Sequence, residues 1–316
     1  MAFEKIDFFI SEETKAFRVV MDKLACSLRD AQRYIDKQRL FCEDEIVSQK
    51  SRYIKGKISL IIFKPNTKGL IPIFQTDDFA IFDKPSGLLV HPKNRHTSYS
   101  LTDEVKYLFG NNANIAHRID KETSGLVLAT KHREAEIYFK NAFQKKEIKK
   151  GYLALTKGKI DKDIFINEPI KINRDYSKIK IKVFIDKSGK DAKTIIKPIK
   201  YNYENDTTLV EAIPLTGRQH QIRIHLFHVK HSIIGDPIYG TDYKTASDYL
   251  DGKLSKKERI KLIGASRLML HANWIEFSYN DTRYKIYSKE DLGFRIEVIG
   301  LRYLNNQHFS PNNLPL

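Results

Sequence analysis

The chain has 316 residues, 41% of them hydrophobic, and a formal net charge of +16 at pH 7. This length and composition predict a folded protein with one large domain and one small one, and exclude a largely disordered chain. The charge favours a polyanionic partner, with nucleic acid as the first candidate, although a solvated basic surface would give the same number.

The cysteine content and the apolar runs indicate the cellular compartment. Two cysteines, Cys26 and Cys42, give neither a disulfide framework nor a zinc-binding pattern. The N-terminus is charged too early for a secretory signal, and no apolar run approaches the length of a membrane span. We therefore expect a cytoplasmic protein with free thiols and no membrane contact.

Residues 14–63 form a basic segment in which cations alternate with apolar side chains. Four apolar positions recur at i, i+3, i+4 and i+7, which predicts one face of a helix: Phe17, Val20, Met21 and Leu24. A second short helix is predicted around 30–38, followed by short strands that end at 58–63. A plain amphipathic helix pair with solvated Lys and Arg would give the same pattern.

Three motifs within this segment resemble the alpha-L RNA-binding module. They are 31–35 (AQRYI), 39–41 (RLF) and 55–58 (KGKI). The resemblance implies a small α/β domain that binds RNA. Its candidate RNA contacts are Arg29, Arg33 and Arg39.

The next segment carries a boundary and a turn. Residues 64–69 contain Pro, Asn and Gly, which predicts a domain boundary. Residues 79–92 (FAIFDKPSGLLVHP) predict a strand, a Pro-Ser-Gly turn and a second strand.

Residues 116–131 (AHRIDKETSGLVLATK) form the most informative segment of the chain. Its apolar run at 126–129 is short and bounded by Gly and Lys, which predicts a buried strand. Asp120 would then lie in a loop that enters a sheet, where a rigid scaffold can present a reactive group. An isolated Asp in a loop is more often a cap or turn former, so its chemistry has to be argued from its surroundings.

Beyond this loop the elements alternate irregularly. Residues 134–143 predict a helix, and a basic run at 145–150 leads into a strand at 152–155. Residues 178–183 (KIKIKV) alternate strictly, which predicts a strand whose lysine-bearing face suits either a phosphate backbone or solvent at a sheet edge. Residues 241–265 are charged and helix-prone, and predict a surface insertion.

A further helix is predicted to open after residues 216–217. On it Gln219, Arg223 and Phe227 would share a face, so that Arg223 can point into a cleft. Three nearby histidines have a spacing that fits no standard metal motif: His220, His225 and His228. We expect them to pack or to contact RNA, and we expect no metal site.

Six blocks of the sequence, in order, resemble the successive motifs of the RluA-type pseudouridine synthases. They are 84–91 (KPSGLLVH), 117–125 (HRIDKETSG), 150–152 (KGY), 216–223 (TGRQHQIR), 235–240 (GDPIYG) and 268–272 (LMLHA). With the order of the predicted elements, the resemblance implies an α+β fold with a mixed, largely antiparallel sheet and flanking helices. The expected division is an RNA-binding domain and linker at 1–68, a catalytic domain at 69–304 and a loose tail at 305–316.

The reaction that the resemblance implies is an isomerisation of uridine in RNA to pseudouridine. The C1′–N1 bond is cut, the uracil turns in place, and C5 joins C1′, so no cofactor is needed. The implied catalytic residues are Asp120, Tyr152 and Arg223. Asp120 would attack the nucleotide or take a proton from its sugar, Arg223 would keep that carboxylate charged, and Tyr152 would stack on the uracil. Attack at C1′, addition at C6 and a glycal route all use the same acid.

The resemblance also implies RNA contacts beside Asp120. The target base must leave its stack, and Arg118 is expected to fill the vacated space. An ion pair with Glu122 is the alternative use of Arg118. Lys150 and His117 are further candidates for this RNA site, with His117 shaping the loop.

The favoured function is therefore an RNA pseudouridine synthase, a monomer, that acts on large-subunit ribosomal RNA. Transfer RNA is the alternative substrate. A catalytically silent RNA-binding assembly factor and a nucleosidase-like hydrolase are alternatives of other classes. Release of tritium from C5-labelled uridine would separate the enzyme from the first, and free uracil would identify the second.

Overall fold

The computed structural model describes residues 3–94, 96–173 and 183–289, which form two compact units. One unit comprises Met1–Gly69 and His91–Leu108, and the other comprises Leu70–Val90 and Phe109–Leu316. The alternating segment at 178–182 and the tail at 305–316 lie outside the described residues.

In the first segment of the first unit, two helices accompany a four-stranded antiparallel sheet in the order β1-β4-β2-β3. The elements of this segment are β1 (Phe3–Lys15), α1 (Ala16–Leu24), α2 (Leu28–Asp36), β2 (Leu40–Cys42), β3 (Glu45–Ile46) and β4 (Tyr53–Phe63). The helix pair predicted from the apolar spacing is confirmed. Ser27 caps α2 by accepting a hydrogen bond from the backbone N–H of Asp30, so this helix begins two residues earlier than predicted.

Strand β1 was missed by the sequence reasoning. Its residues Ile6, Phe8 and Ile10 alternate and pack against the core of this unit, as a half-buried strand requires. The other face of the strand is exposed to solvent, so charged residues interrupt the apolar pattern. The early charges in the sequence therefore belong to a strand.

The remaining elements follow in chain order. They are β5 (Phe74–Gln75), β6 (Phe79–Lys84), α3 (Leu101–Phe109), β7 (Asn114–Ile115), β8 (Ser124–Thr130), α4 (Arg133–Gln144), β9 (Lys149–Lys157), β10 (Ile164–Asn167), β11 (Ile170–Ile172), β12 (Val183–Ile185), β13 (Lys193–Asn202), β14 (Thr207–Pro214), α5 (Gln221–His228), α6 (Tyr243–Leu250), α7 (Lys256–Ile263), β15 (Leu270–Tyr279) and β16 (Thr282–Tyr287).

The second unit is built on a large sheet in the order β10-β13-β14-β9-β15-β8-β6-β5, with β16 beside β15 and β7 beside β8. Among the described residues, the strand pairs of this sheet are antiparallel, except that β15 runs parallel to β8. The fold is therefore α+β with a mixed, largely antiparallel sheet, as predicted. Beneath the sheet, α4 packs Phe139 against Phe79 and Phe277.

The parallel contact between β8 and β15 depends on a glycine. Gly125 has a φ of +105°, and a Cβ atom there would stand 2.3 Å from the carbonyl oxygen of Ala272. Any side chain would push the strands apart. The Thr-Ser-Gly sequence after Asp120 therefore lets the chain enter the middle of the sheet.

Two predicted elements differ from the structure. Residues 88–90 do not form a strand: the Pro-Ser-Gly turn before them bonds to the loop that carries Asp120, and the carbonyl oxygen of Leu88 accepts from Lys84. Helix α5 begins at Gln221, so Gln219 precedes the helix and does not share a helical face with Arg223.

The charged segment at 241–265 forms two short helices, α6 and α7, as predicted. No helix in the described part of the chain has both the length and the hydropathy needed to cross a bilayer.

Candidate active site

The loop between β7 and β8 carries Asp120, and the Pro-Ser-Gly turn after β6 holds its backbone. The Ser86 hydroxyl donates to the carbonyl oxygen of Glu122 at 2.6 Å, and the Gly87 N–H donates to that of Lys121 at 2.8 Å. Two distant motifs of the sequence are thus one structural feature, a turn that supports a loop.

Lys84 ties the same two segments together from inside. Its side chain is fully buried, and its ammonium donates to the carbonyl oxygens of Pro85, Leu88 and Lys121 at 2.8–3.1 Å. Burial lowers the pKa of Lys84 to about 7, although Glu122 and then Asp120 oppose that shift. Three carbonyl acceptors match the three N–H donors of the charged form. This lysine therefore joins the turn to the loop by binding the backbone of both segments.

Arg223, on α5, meets the side chain of Asp120. Its Nη1 lies 3.0 Å from Oδ2 of Asp120 across 103 residues of sequence. The guanidinium is 3% exposed, whereas the carboxylate of Asp120 remains 26% exposed. The arginine is therefore a fixed internal cation, and Asp120 presents its carboxylate at the surface of the site.

Asp236 fixes the orientation of Arg223. Its two carboxylate oxygens accept from Nε at 2.7 Å and from Nη2 at 2.8 Å. This bidentate pairing leaves only Nη1 directed at Asp120. Asp236 is itself held by the backbone N–H groups of Ile238 and Tyr239 at 2.9 and 3.0 Å.

His220 approaches the same carboxylate oxygen of Asp120 as Arg223 does. Its Nε2 is 3.7 Å from Oδ2 of Asp120, and its Nδ1 is 2.8 Å from the hydroxyl of Tyr239. That hydroxyl accepts from the N–H of Val183, so its own hydrogen is free for Nδ1 and the ring hydrogen belongs on Nε2, which faces Asp120. Burial, and secondarily Arg223, lower the pKa of His220 to about 4, so the ring is neutral at pH 7.

The backbone of His220 is unusual. It precedes α5 in a left-handed conformation with φ of +53°, which costs a residue with a side chain about 1–2 kcal/mol. Strain of this kind persists where the surroundings determine it. Here it directs an imidazole towards Asp120.

These groups set the charge of Asp120. Burial would raise its pKa, but the facing His220, the charge and hydrogen bond of Arg223, and the charge of Arg118 lower it more, so the pKa of Asp120 lies below its ordinary value. Because His220 is neutral at pH 7, the permanent cation beside the carboxylate is Arg223. The site therefore holds an ionised, partly exposed carboxylate that can act as a nucleophile or a base.

Tyr152 lies on β9, and the residues that pair with it on the two neighbouring strands are small. It pairs with Ala212 on one side and Ala272 on the other, and Ala272 pairs with Gly125. Burial, and secondarily the charge of Asp120, raise the pKa of its phenol. The ring is therefore neutral, and it interacts electrostatically with the carboxylate of Asp120. The three residues predicted to carry the chemistry thus lie in one site.

The other predicted residues around Asp120 differ in their surroundings. Arg118 is exposed, and Glu122 pairs with Arg259, not with Arg118. His117 accepts from the N–H of Leu128 at 3.1 Å and packs on Phe143 at 4.8 Å, which fixes the loop to β8. The ammonium of Lys150 lies 5.2 Å from the centre of the same Phe143 ring, and burial lowers the pKa of Lys150 to about 8.

The basic residues predicted in the first unit lie on or next to α2. Arg29 and Arg33 are exposed, and Arg33 forms an exposed ion pair with Asp30 at 3.4 Å. Arg39 is half-buried, with its guanidinium over the rings of Phe3 and Tyr34.

Asp236 and Lys84 were not among the residues predicted from the sequence, and His220 was expected to pack or to contact RNA, not to face Asp120. Asp236 could have been suspected, because an acid within the apolar stretch from Ile233 to Tyr239 needs a buried cation. Nothing in the sequence indicates which cation that would be, and the same holds for the carbonyl partners of Lys84.

Comparisons with known proteins identify the family of the chain. The family model described as RNA pseudouridylate synthase matches residues 78–228. An uncharacterized RNA pseudouridine synthase of Helicobacter pylori is 43% identical over 289 residues, covering 91% of this chain and 96% of that protein. The ribosomal large subunit pseudouridine synthase C of Rickettsia bellii is 32% identical over 267 residues, covering 82% of this chain and 79% of its own length.

The likeness to a solved structure supports the fold alone. The human RNA pseudouridylate synthase domain containing 1 matches with a TM-score of 0.55 at 22% identity, covering 72% of this chain and 86% of that one. The family model, the extent of the 43% identity and the mixed sheet agree with one another. The chain therefore belongs to the RluA-type RNA pseudouridine synthases, isomerases that convert uridine in RNA to pseudouridine.

Proposed function

We propose that this enzyme modifies uridine in large-subunit ribosomal RNA, with Asp120, Tyr152 and Arg223 as its catalytic residues. The observation that carries the catalytic assignment is the 3.0 Å contact between Arg223 and Asp120, with Asp236 holding the guanidinium from behind. The choice of RNA is supported by the Rickettsia relative, whose name assigns it to the large ribosomal subunit.

In the proposed reaction the charge of Asp120 is its essential property. The carboxylate attacks the target nucleotide or removes a proton from its sugar while the C1′–N1 bond breaks. The freed uracil turns and joins C1′ through C5, C5 loses its hydrogen to solvent, and N1 carries a hydrogen at the end. Nothing is oxidised, and the atoms of the nucleotide are conserved.

Arg223 and Tyr152 support that carboxylate in different ways. Arg223 stabilises the anion in a site where burial opposes it. Tyr152 offers a neutral ring for stacking, an interaction worth about 1–3 kcal/mol per base. Its small neighbours, Ala212 and Ala272, leave the ring without bulky side chains beside it in the sheet.

The residues around the site are proposed to hold the everted nucleotide. Arg118 is exposed and close enough to lower the pKa of Asp120, which suits a side chain that fills the gap left in the RNA. Lys150 contacts an aromatic ring, and within the described residues its pKa is shifted by burial alone, so an RNA phosphate can serve as its counterion. His117 contributes by holding the loop.

The target is tested by mapping pseudouridine in ribosomal and transfer RNA from a strain that lacks the gene. The proposal expects the loss of one or more pseudouridines from large-subunit ribosomal RNA, restored by the intact gene but not by an Asp120→Asn copy. Loss from transfer RNA alone would replace the ribosomal target with the alternative one.

The residues before 69 are proposed to form an RNA-binding domain of the alpha-L type. The support is a set of exposed cations on and beside α2, namely Arg29, Arg33 and Lys37. Burial, followed by the charges of Arg39 and Arg33, lowers the pKa of Lys37, as expected where cations outnumber their partners. Such a surface gains from a polyanion that neutralises it.

Replacing those three cations by Gln is expected to weaken RNA binding and flatten its salt dependence. Each lost phosphate contact on single-stranded RNA lowers the slope of log K against log salt by about 0.7, so the triple variant should lose about 2. The measurement is fluorescence anisotropy of labelled RNA across a salt series.

The matched control changes two cations that lie outside the α2 surface. Lys5 lies near Asp7 and Asp44, and Lys64 pairs with Glu4 at 2.9 Å, so the Lys5→Gln/Lys64→Gln protein should keep most of the slope. Equal slopes in the wild type and the triple variant would remove the α2 surface from RNA binding.

The proposal also includes a cytoplasmic monomer. A ribosomal RNA substrate requires the enzyme where ribosomes are assembled, and the catalytic residues named above all come from one chain. Cell fractionation and light scattering test these two points.

A further inference from the structure

The α6–α7 insertion forms an ion pair with the loop that carries Asp120. Nη2 of Arg259, on α7, lies 2.8 Å from Oε2 of Glu122, two residues after Asp120. Their side chains are only 13% and 9% exposed, respectively. A pair this shielded from water contributes more to its surroundings than a surface pair does.

The insertion holds Arg259 firmly. Helix α7 starts with a capping box in which Ser255 and Glu258 bond to each other's backbone N–H groups. The guanidinium of Arg259 also lies 5.1 Å from the centre of the Tyr249 ring of α6. Both helices of the insertion therefore take part in placing this one cation.

The backbone of Glu122 does not depend on Arg259. The Ser86 hydroxyl holds its carbonyl oxygen, and Gly87 and Lys84 hold that of Lys121. What Arg259 supplies to this segment is a positive charge beside a buried carboxylate. Without Arg259, the negative charge of Glu122 would be uncompensated, two residues from Asp120.

The two carboxylates share an electrostatic neighbourhood. Glu122 and Asp120 both act on the pKa of buried Lys84, which burial lowers and which each carboxylate raises. The charged and titratable groups facing Asp120 are Arg118, Lys84, Tyr152, His220 and Arg223, and those facing Glu122 are Lys84, Tyr249 and Arg259. Lys84 is common to both sets, and Arg259 neutralises Glu122 from the insertion.

We propose that Arg259 is a positioning residue of the isomerisation, which neutralises Glu122 and thereby preserves the charge and placement of Asp120. The inference rests on the proposed catalytic role of Asp120. It gives the insertion a function in catalysis: α6 and α7 carry the counter-charge for the catalytic loop.

The test measures single-turnover tritium release from total RNA of a strain lacking the gene, labelled with [5-³H]uridine. Total RNA contains both ribosomal and transfer RNA, so the assay does not depend on which is the target. Arg259→Gln is expected to lower the maximal rate about tenfold with little change in half-saturation. The acid limb of its pH profile should move up by about 0.5–1 pH unit, because an unpaired Glu122 disfavours the ionised form of Asp120.

Two further variants separate charge from shape. Glu122→Gln leaves the cation without its carboxylate, so the acid limb should move in the opposite direction, to lower pH. The double variant Glu122→Gln/Arg259→Gln removes both charges and should return the limb to within about 0.3 pH unit of the wild type. A purely structural role would not shift the acid limb of either single variant, and it would not shift the two acid limbs in opposite directions.

Lys261→Gln is the matched control, since it removes an exposed cation from the same helix. Its rate should stay within about twofold of the wild type. A wild-type rate and pH profile in Arg259→Gln would overturn the proposal, as would a double variant as impaired as the single one. Should Arg259→Gln fail to fold, an acid limb in Glu122→Gln that does not move down would also overturn it.

The same assay distinguishes a failure of the proposed function. Asp120→Asn run in parallel must be inactive for the inference to have its basis. An active Asp120→Asn protein removes Asp120 from the mechanism, whereas an inactive one beside an unaffected Arg259→Gln protein refutes only the role of Arg259.

Discussion

Asp120→Asn is expected to abolish pseudouridine formation while the protein still folds and binds RNA. Asn has the same shape but no negative charge, so it can neither attack the sugar nor take its proton. The single-turnover rate should fall by at least about 1,000-fold. Tritium release from C5-labelled RNA measures this loss.

Folding should survive this change, because Arg223 keeps its two hydrogen bonds to Asp236. RNA affinity should stay within about threefold, since the variant removes an anion and no phosphate contact. Asp161→Asn is a matched control: it neutralises an exposed acid whose partner is Lys159 at 2.8 Å. Comparable turnover in Asp120→Asn and this control would remove Asp120 from the mechanism.

Arg223→Gln is expected to lose both activity and stability. The guanidinium bridges Asp236 and Asp120 from a position that is 3% exposed. Its removal leaves the buried carboxylate of Asp236 unpaired, which costs about 3–5 kcal/mol of unfolding free energy. The pKa of Asp120 should rise as well, because the permanent cation beside it is gone.

A double variant separates the two losses. Arg223→Gln/Asp236→Asn removes the unpaired charge, so urea unfolding should show that most of the lost stability returns. Turnover should not return, because Asp120 still lacks its guanidinium. Full stability in Arg223→Gln, or recovered turnover in the double variant, would contradict the proposed role of Arg223 between Asp236 and Asp120.

The pH dependence of stability around this bridge follows from the lowered pKa of Asp120. A carboxyl whose pKa is lower in the folded than in the unfolded state stabilises the fold above its unfolded pKa. That contribution disappears as the pH falls through the lower, folded pKa. Asp120→Asn should therefore remove part of the acid sensitivity of the fold, apart from its effect on turnover.

Short-range patterns were sufficient for many elements of the fold. The spacing of Phe17, Val20 and Leu24 predicts α1, and the bounded apolar run at 126–129 predicts β8. Such patterns are informative because a helix or strand must bury one face at its own period. The same reasoning failed at residues 88–90, where an apolar run forms no strand and the preceding turn is bonded to the Asp120 loop.

In the candidate site, too, some residues could be predicted from short-range patterns and others could not. Asp120, Tyr152 and Arg223 could be named from the sequence because each lies in a motif whose members are neighbours along the chain. Their partners could not be named: Asp236 reaches Arg223 from a turn beyond α5, and Arg259 reaches Glu122 across 137 residues. Sequence spacing carries no information about such distances.

By itself, the sequence determined the kinds of group present: an acid in a loop, an aromatic ring on a strand, and arginines able to pair with carboxylates. Only the tertiary structure decided which charge faces which. Electrostatic energy depends on separation and burial, and both are set by how β8, β9, α5 and α7 pack. The fold therefore decides that the carboxylate of Asp120 stays ionised in spite of its burial.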